Sequence, residues 1–278
     1  MKTFIRWQGN KSKHIHKFIQ YIPQFTGTYI EPFLGSGALL LKLQPTKWII
    51  NDINKDLVNI WKYVKNNPQS IIDMFTEFGT YFKPLSKEDK VKYCRDITSK
   101  IESMPYDIKR ASMYLLMKFC AYTGDIIYNN KFYFKGLDLN ILINNNYSFL
   151  KENTYNNNIN QISHFLNNKS GKIFNKSYEK ILDKAKEGDF VFLDPPYIEA
   201  HNYDFNYNKD EVLDESFIQQ LFIQVKKLDE RNVKWLMTQA DTQQIKDTFK
   251  EYTIKKFEVY RMGSKSYTDE LLIMNYLL

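Results

Sequence analysis

Apolar residues recur along this chain with two periods, and the places where the period changes outline its organisation. Residues 28–30 lead into Glu31-Pro32, a small-residue loop, Gly35-Ser36-Gly37, and an apolar helix-like stretch over residues 38–43. Trp48-Ile49-Ile50 is a second apolar run, ending at Asn51-Asp52. Leu57, Ile60, Trp61 and Val64 then share one helical face. Strand, helix, strand, helix is the opening of a mostly parallel sheet. From about residue 66 to 122 the apolar residues keep helical intervals, as Met113, Leu116, Met117 and Cys120 do. Residues 129–175 are crowded with asparagine, which predicts loops and tight turns, because Asn bonds its own backbone and tolerates positive φ. Strand-like runs resume at residues 189–193, 232–237, 254–260 and 271–278, with helices over 215–228 and 242–249. The economical architecture is α/β, a doubly wound sheet of six or seven strands. Residues 62–171 would be a mainly helical insertion between the two parts, 1–61 and 172–278, of one catalytic domain.

Composition narrows the function classes. At 278 residues and 43% hydrophobic content, the chain has ample material for a core, which excludes global disorder. No apolar run approaches the ~18 residues of a membrane span, and the N-terminus lacks a signal-peptide pattern, so a cytoplasmic protein is expected. Cys94 and Cys120 form no CxxC pair and read as core cysteines, and His14 and His16 have no further ligands nearby, so no metal is expected. The +7 net charge suits a polyanionic partner, but a general richness in Lys, Asn, Ile and Tyr explains it equally well. That richness also fits an A+T-rich genome, bacterial or viral.

The sharpest chemical signal is Asp194-Pro195-Pro196-Tyr197, directly after the run at 189–193. In open α/β sheets ligands bind beyond the carboxyl ends of strands. Asp194 and the Pro195 carbonyl are two acceptors that together can hold both hydrogens of an amino group. Pro195 and Pro196 fix φ, and Tyr197 offers a flat face for a base. The second signal is Glu31-Pro32-Phe33-Leu34-Gly35-Ser36-Gly37, with Asp52 at the next strand end, 17 residues after Gly35. An acid at that distance commonly receives ribose hydroxyls. Position 40 is Leu, so GxGxxG is not completed and a nucleoside without pyrophosphate suits the loop better.

These motifs, with Trp7-Gln8-Gly9-Asn10-Lys11 before them and Glu270-Leu271-Leu272-Ile273-Met274-Asn275-Tyr276 after Arg261, resemble the Dam-like class of DNA adenine methyltransferases in kind and order. The resemblance covers residues 4–61 and 172–278. It implies a Rossmann-like fold, S-adenosyl-L-methionine as cofactor, double-stranded DNA as partner, and methyl transfer to N6 of a flipped adenine. By position, Trp7, Lys11, Glu31, Phe33, Gly35, Ser36, Gly37, Asp52, Ile53, Ser177, Tyr178 and Asp194 would surround the cofactor, with Lys11 near its carboxylate or the target. Asp194, Pro195, Pro196 and Tyr197 would hold the adenine. Asn10 stands where the class has a second glycine, and Asn tolerates the positive φ such a position asks for. Ser177-Tyr178 stands where the class often has Asp-Phe.

The insertion would read the target, with Lys109, Arg110, Lys118, Tyr128, Asn129, Asn130, Lys131 and Arg261 as DNA-contact candidates. A partly buried strand pair with solvated lysines explains the stretch around residues 128–135 equally well. The segment 118–125 lacks the class's usual recognition pairs, so no target sequence is predicted. A monomer is expected, with a cognate restriction endonuclease as a candidate partner. An enzyme acting on RNA or on cytosine N4, and a non-catalytic DNA-binding relative, stay open as alternatives. The Pro-Cys nucleophile of cytosine ring-carbon methyltransferases is absent.

Overall fold

The structure, a computed structural model, describes residues 1–124, 126–128, 132–134, 136–138, 152–197, 215–261 and 266–277. After α1 (Ile15–Phe18), the chain forms β1 (Tyr29–Glu31), α2 (Ala38–Leu43), β2 (Lys47–Asn51) and α3 (Lys55–Asn66). Helices α4 (Pro68–Phe82), α5 (Lys87–Lys100) and α6 (Ile108–Cys120) follow, then an antiparallel pair, β3 (Ile126–Tyr128) with β4 (Phe132–Phe134), and α7 (Glu152–Asn168). The sheet resumes with β5 (Ser170–Phe174), α8 (Tyr178–Leu182), β6 (Phe190–Leu193), α9 (Glu215–Asp229), β7 (Lys234–Ala240), α10 (Gln243–Thr248), β8 (Thr253–Arg261) and β9 (Ser266–Met274).

Seven strands lie in the order β5-β2-β1-β6-β7-β9-β8. The first five are mutually parallel, β9 runs antiparallel to β7, and the edge strand β8 runs antiparallel to β9. β1 and β6 are buried at every residue, as parallel strands covered on both faces must be. Alternate residues of these strands supply two cores. Tyr29, Phe190, Phe192, Leu236 and Leu272 face α1 to α7, whereas Ile30, Val191, Leu193, Met237 and Leu271 face α8, α9 and α10. The order reverses beside β1, so the carboxyl ends of β1 and β6 flank a topological switch point.

The helical spacing at Leu57 to Val64 is realised in α3, capped by the Asn54 side chain accepting from Leu57 N–H at 2.9 Å. Two expectations need correction. The asparagine-rich tract expected as loops contains the helix α7, because Tyr155, Ile159, Ile162, Phe165 and Leu166 recur at helical intervals and are all buried. Burial of that stripe outweighs the weak preference of Asn for turns. The last strand spans Ser266–Met274 rather than 271–278, and β7 runs on to Ala240. Residues 266–269 alternate in exposure and pair only with β8, so no apolar run announced them.

Candidate active site

The loop after β1 is clamped between two tryptophans. Gly35 has φ +49°, and a Cβ there would stand 2.8 Å from Trp7 Cδ1. Gly37, with φ +64°, precedes α2, and its Cβ would stand 2.6 Å from the Trp61 ring. Both positions therefore need glycine for conformation and for space. Trp61 Nε1 donates to the Gly35 carbonyl at 3.3 Å, and Leu34 N–H to the Asn51 carbonyl at 2.9 Å. Asp52 completes the clamp, one carboxylate oxygen accepting from Gly35 N–H and the other from Asn54 N–H, each at 2.9 Å.

Two asparagines the sequence reading passed over join this loop to the end of β5. Asn51, fully buried, donates to the carbonyls of Pro32 and Lys176 and accepts from Lys176 N–H, all at 2.9 Å. Asn175 donates to the carbonyls of Asp52 and Ile53. These bonds set Ser177 and Tyr178 at the start of α8, with the Tyr178 ring centroid 5.1 Å from that of Phe33. Phe33, Asp52, Ile53, Ser177 and Tyr178 are thereby assembled around one end of the loop. Ser36 is buried inside it.

Glu31 is also buried, accepting from the Tyr29 hydroxyl at 2.9 Å. Burial pushes its carboxyl well above the usual range; the Asp194 and Asp52 charges add to the rise, and the Tyr29 bond opposes it. With Asp52 at one strand end and the buried carboxyl of Glu31 at the next, the loop suits a ligand that lacks pyrophosphate.

The other half of the site lies one strand away, beyond β6. Asp194 Oδ1 accepts from the Thr238 hydroxyl at 2.6 Å, faces Lys11 Nζ at 2.9 Å and lies 3.4 Å from the Tyr197 hydroxyl. Tyr197 donates at 2.9 Å to Glu270 Oε2, which stands 3.7 Å from Lys11 Nζ. The Lys11 ammonium also lies 4.8 Å from the Tyr197 ring centroid. Burial, then the carboxylates of Glu270 and Asp194, raise the Tyr197 hydroxyl well above the ordinary tyrosine range, which keeps it a neutral donor. Pro195 is buried and Pro196 half-buried in the turn between Asp194 and Tyr197. Thr238 and Glu270 carried no role in the sequence reading. The one available signal was a carboxylate opening the apolar stretch 271–274.

Three expectations change here. Gly9, not Asn10, takes positive φ (+73°); Asn10 has φ −53° and caps the turn at Lys11–Lys13, its side chain accepting from Ser12. Arg110 is no DNA contact: it is buried, with its guanidinium closed by Asp56 and by main-chain carbonyls, where no phosphate reaches it. Lys118 is buried as well, donating to the Gly124 carbonyl at 2.9 Å with its ammonium 4.2 Å from the Trp7 ring centroid, so it braces Trp7 against the loop. Lys109 is exposed. Tyr128 ends β3 and Arg261 ends β8, while their side chains, Asn129, Asn130 and Lys131 lie outside the described residues. Cys94 and Cys120 are both buried, as free thiols. Among the described residues, no group of three or more His, Cys, Asp or Glu is arranged to hold a metal. No described helix is long and apolar enough to cross a membrane.

Comparison with known proteins adds an independent line. A family model, "D12 class N6 adenine-specific DNA methyltransferase", matches residues 7–262. The type II methyltransferase M1.LlaDCHI of Lactococcus lactis subsp. cremoris is 29% identical, over 99% of this chain and 96% of its own length. The type II methyltransferase M.MjaIII of Methanocaldococcus jannaschii is 28% identical, over 99% of both chains. A DNA adenine methylase of Haemophilus influenzae is 21% identical, over 95% of this chain and 88% of its own.

Proposed function

The chain belongs to the D12 class of N6 adenine-specific DNA methyltransferases, and we propose that it transfers a methyl group from S-adenosyl-L-methionine to N6 of an adenine flipped out of duplex DNA. One observation carries the residue-level reading: Asp194 and the clamped Gly35–Gly37 loop stand at the carboxyl ends of adjacent parallel strands, β6 and β1. A donor in the loop and an acceptor at Asp194 therefore meet across one strand spacing, about 5 Å.

Once bound, S-adenosyl-L-methionine supplies an electrophilic methyl group on a sulfonium. Asp52 would receive its ribose hydroxyls, and Phe33 with Tyr178 would form one wall of the pocket for its adenine. The target base leaves the duplex at a cost of a few kcal/mol and stacks on Tyr197. Asp194 and the Pro195 carbonyl accept its two amino hydrogens, which holds the nitrogen lone pair out of conjugation and towards the methyl group. Asp194 Oδ takes the proton that leaves nitrogen on methylation. Orientation and electrostatics supply the acceleration, with no covalent enzyme intermediate.

Residues 62–171 serve as the target-recognition part, supported by their largely helical build and the β3–β4 pair. Lys109 of this part and Arg261 at the end of β8 meet phosphates. The type II names of two relatives favour a cognate restriction endonuclease acting at the same site.

The test is to incubate the protein with S-adenosyl-L-methionine and unmethylated duplex DNA, digest, and quantify nucleosides by mass spectrometry. N6-methyladenine is expected. N4-methylcytosine, methylation of RNA alone, or no methylated base at all would each overturn the proposal.

A further inference from the structure

Glu270, a buried carboxylate beside Asp194 and Tyr197, has no task in the transfer chemistry. Glu270 opens the apolar half of β9, opposite Ala240 of β7, and is 7% exposed. A carboxylate in such a place needs partners. Its Oε2 has two, the Tyr197 hydroxyl at 2.9 Å and the Lys11 ammonium at 3.7 Å.

Asp194 is crowded by the same groups. Thr238 at 2.6 Å, Lys11 at 2.9 Å and Tyr197 at 3.4 Å converge on its Oδ1. A carboxylate that must accept a substrate hydrogen is weakened as an acceptor when an ammonium is held against it. Lys11 therefore stands at Asp194 in the place of a hydrogen donor, as the target amino group will. Its alternative partner is already in reach, since a shift on the order of 1 Å brings the ammonium to hydrogen-bond distance of Glu270. The Tyr197 hydroxyl holds the receiving oxygen, Oε2, in position.

We propose that Glu270 is a positioning residue that draws Lys11 away from Asp194 when the target base enters, freeing Asp194 to accept from the amino group. This rests on the reading of Asp194 as that acceptor.

Glu270→Gln keeps the shape and an acceptor oxygen but loses the charge that competes for Lys11. Single-turnover methyl transfer at saturating cofactor and DNA is expected to fall about tenfold to a hundredfold, the range for losing one charge-assisted bond. Cofactor affinity, set at the β1 loop, should change less than about threefold. If Glu270 acts through Lys11, then in a Lys11→Met background adding Glu270→Gln should slow the reaction by less than about threefold. That charge-balanced pair also covers a Glu270→Gln variant that fails to fold. A wild-type rate in Glu270→Gln, or a further tenfold loss on adding it to Lys11→Met, overturns the inference. A wild-type enzyme that makes no N6-methyladenine overturns the functional reading instead, a result separable from both.

Discussion

Two buried cation–carboxylate pairs in this molecule look alike as residue types and behave as opposites. Arg110 meets Asp56 through two bonds, 2.6 and 2.9 Å, and its remaining donors end on the carbonyls of Ile101 and Met104 and near the Tyr106 hydroxyl. Every group is satisfied within α3, α6 and the turn before α6, so the pair fastens those elements together and has nothing to offer a ligand. Lys11 and Asp194 instead share their partners with Thr238, Tyr197 and Glu270, and the Asp194 side chain keeps 20% of its surface exposed. A saturated pair is a fastener, whereas a contested pair is a place where a substrate can change the allocation.

The sharpest way to break that contrast is Arg110→Ala. It leaves Asp56 buried without its cation and is expected to cost about 3–5 kcal/mol in urea unfolding. The salt dependence of DNA binding by the folded fraction should not change. A loss below about 1 kcal/mol, or a reduced salt slope, would return Arg110 to the DNA surface. Next in size is Gly37→Ala, where φ +64° and the Trp61 ring leave no room for a methyl group. Expected is a stability loss of about 1–3 kcal/mol with weakened cofactor binding by calorimetry, and a neutral result would refute the clamp.

Glu31 sharpens the comparison through pH. Its carboxyl is raised on folding from 4.5, so the folded state holds the proton more tightly than the unfolded chain. Its contribution to stability is full at low pH and is lost as pH rises from about 4.5 towards the folded value. Glu31→Gln, which mimics the neutral form, should therefore melt higher than wild type at pH 8 by at least ~2 °C, with no difference at pH 4. Equal melting temperatures at pH 8 would mean the carboxyl is not raised. The smallest effect belongs to Lys109, the exposed sequence neighbour of Arg110. Lys109→Ala should lower the slope of log binding constant against log salt by about one, with stability unchanged within ~0.5 kcal/mol. An unchanged slope would remove Lys109 from the interface.

Much of this was legible in the sequence because strand ends and glycine loops carry local signals. Asp194 to Tyr197 follow a fully buried run, and Gly35 and Gly37 precede an apolar helix; both need only neighbours in the chain to be read. What could not be read depends on distant partners. Arg110 and Lys118 stood in a basic, aromatic stretch, and only Asp56, 54 residues earlier, and Trp7 decide that they face inward. Thr238 and Glu270 join Asp194 across 44 and 76 residues, and Asn51 and Asn175 act through backbone bonds that no side-chain pattern announces. The helix α7 was hidden because its asparagines speak for turns locally while its buried stripe speaks only once the neighbouring helices are present.

The most direct test of the contested pair is the single-turnover rate of Asp194→Asn at saturating cofactor and DNA, beside measured affinities for both. Asn keeps the size and one acceptor oxygen but loses the charge and the proton affinity. The account predicts a fall of at least about a thousandfold in N6-methyladenine formation, the scale of losing a preorganised electrostatic group, with both affinities within about fivefold of wild type. A rate within tenfold of wild type would show that the amino group is accepted elsewhere.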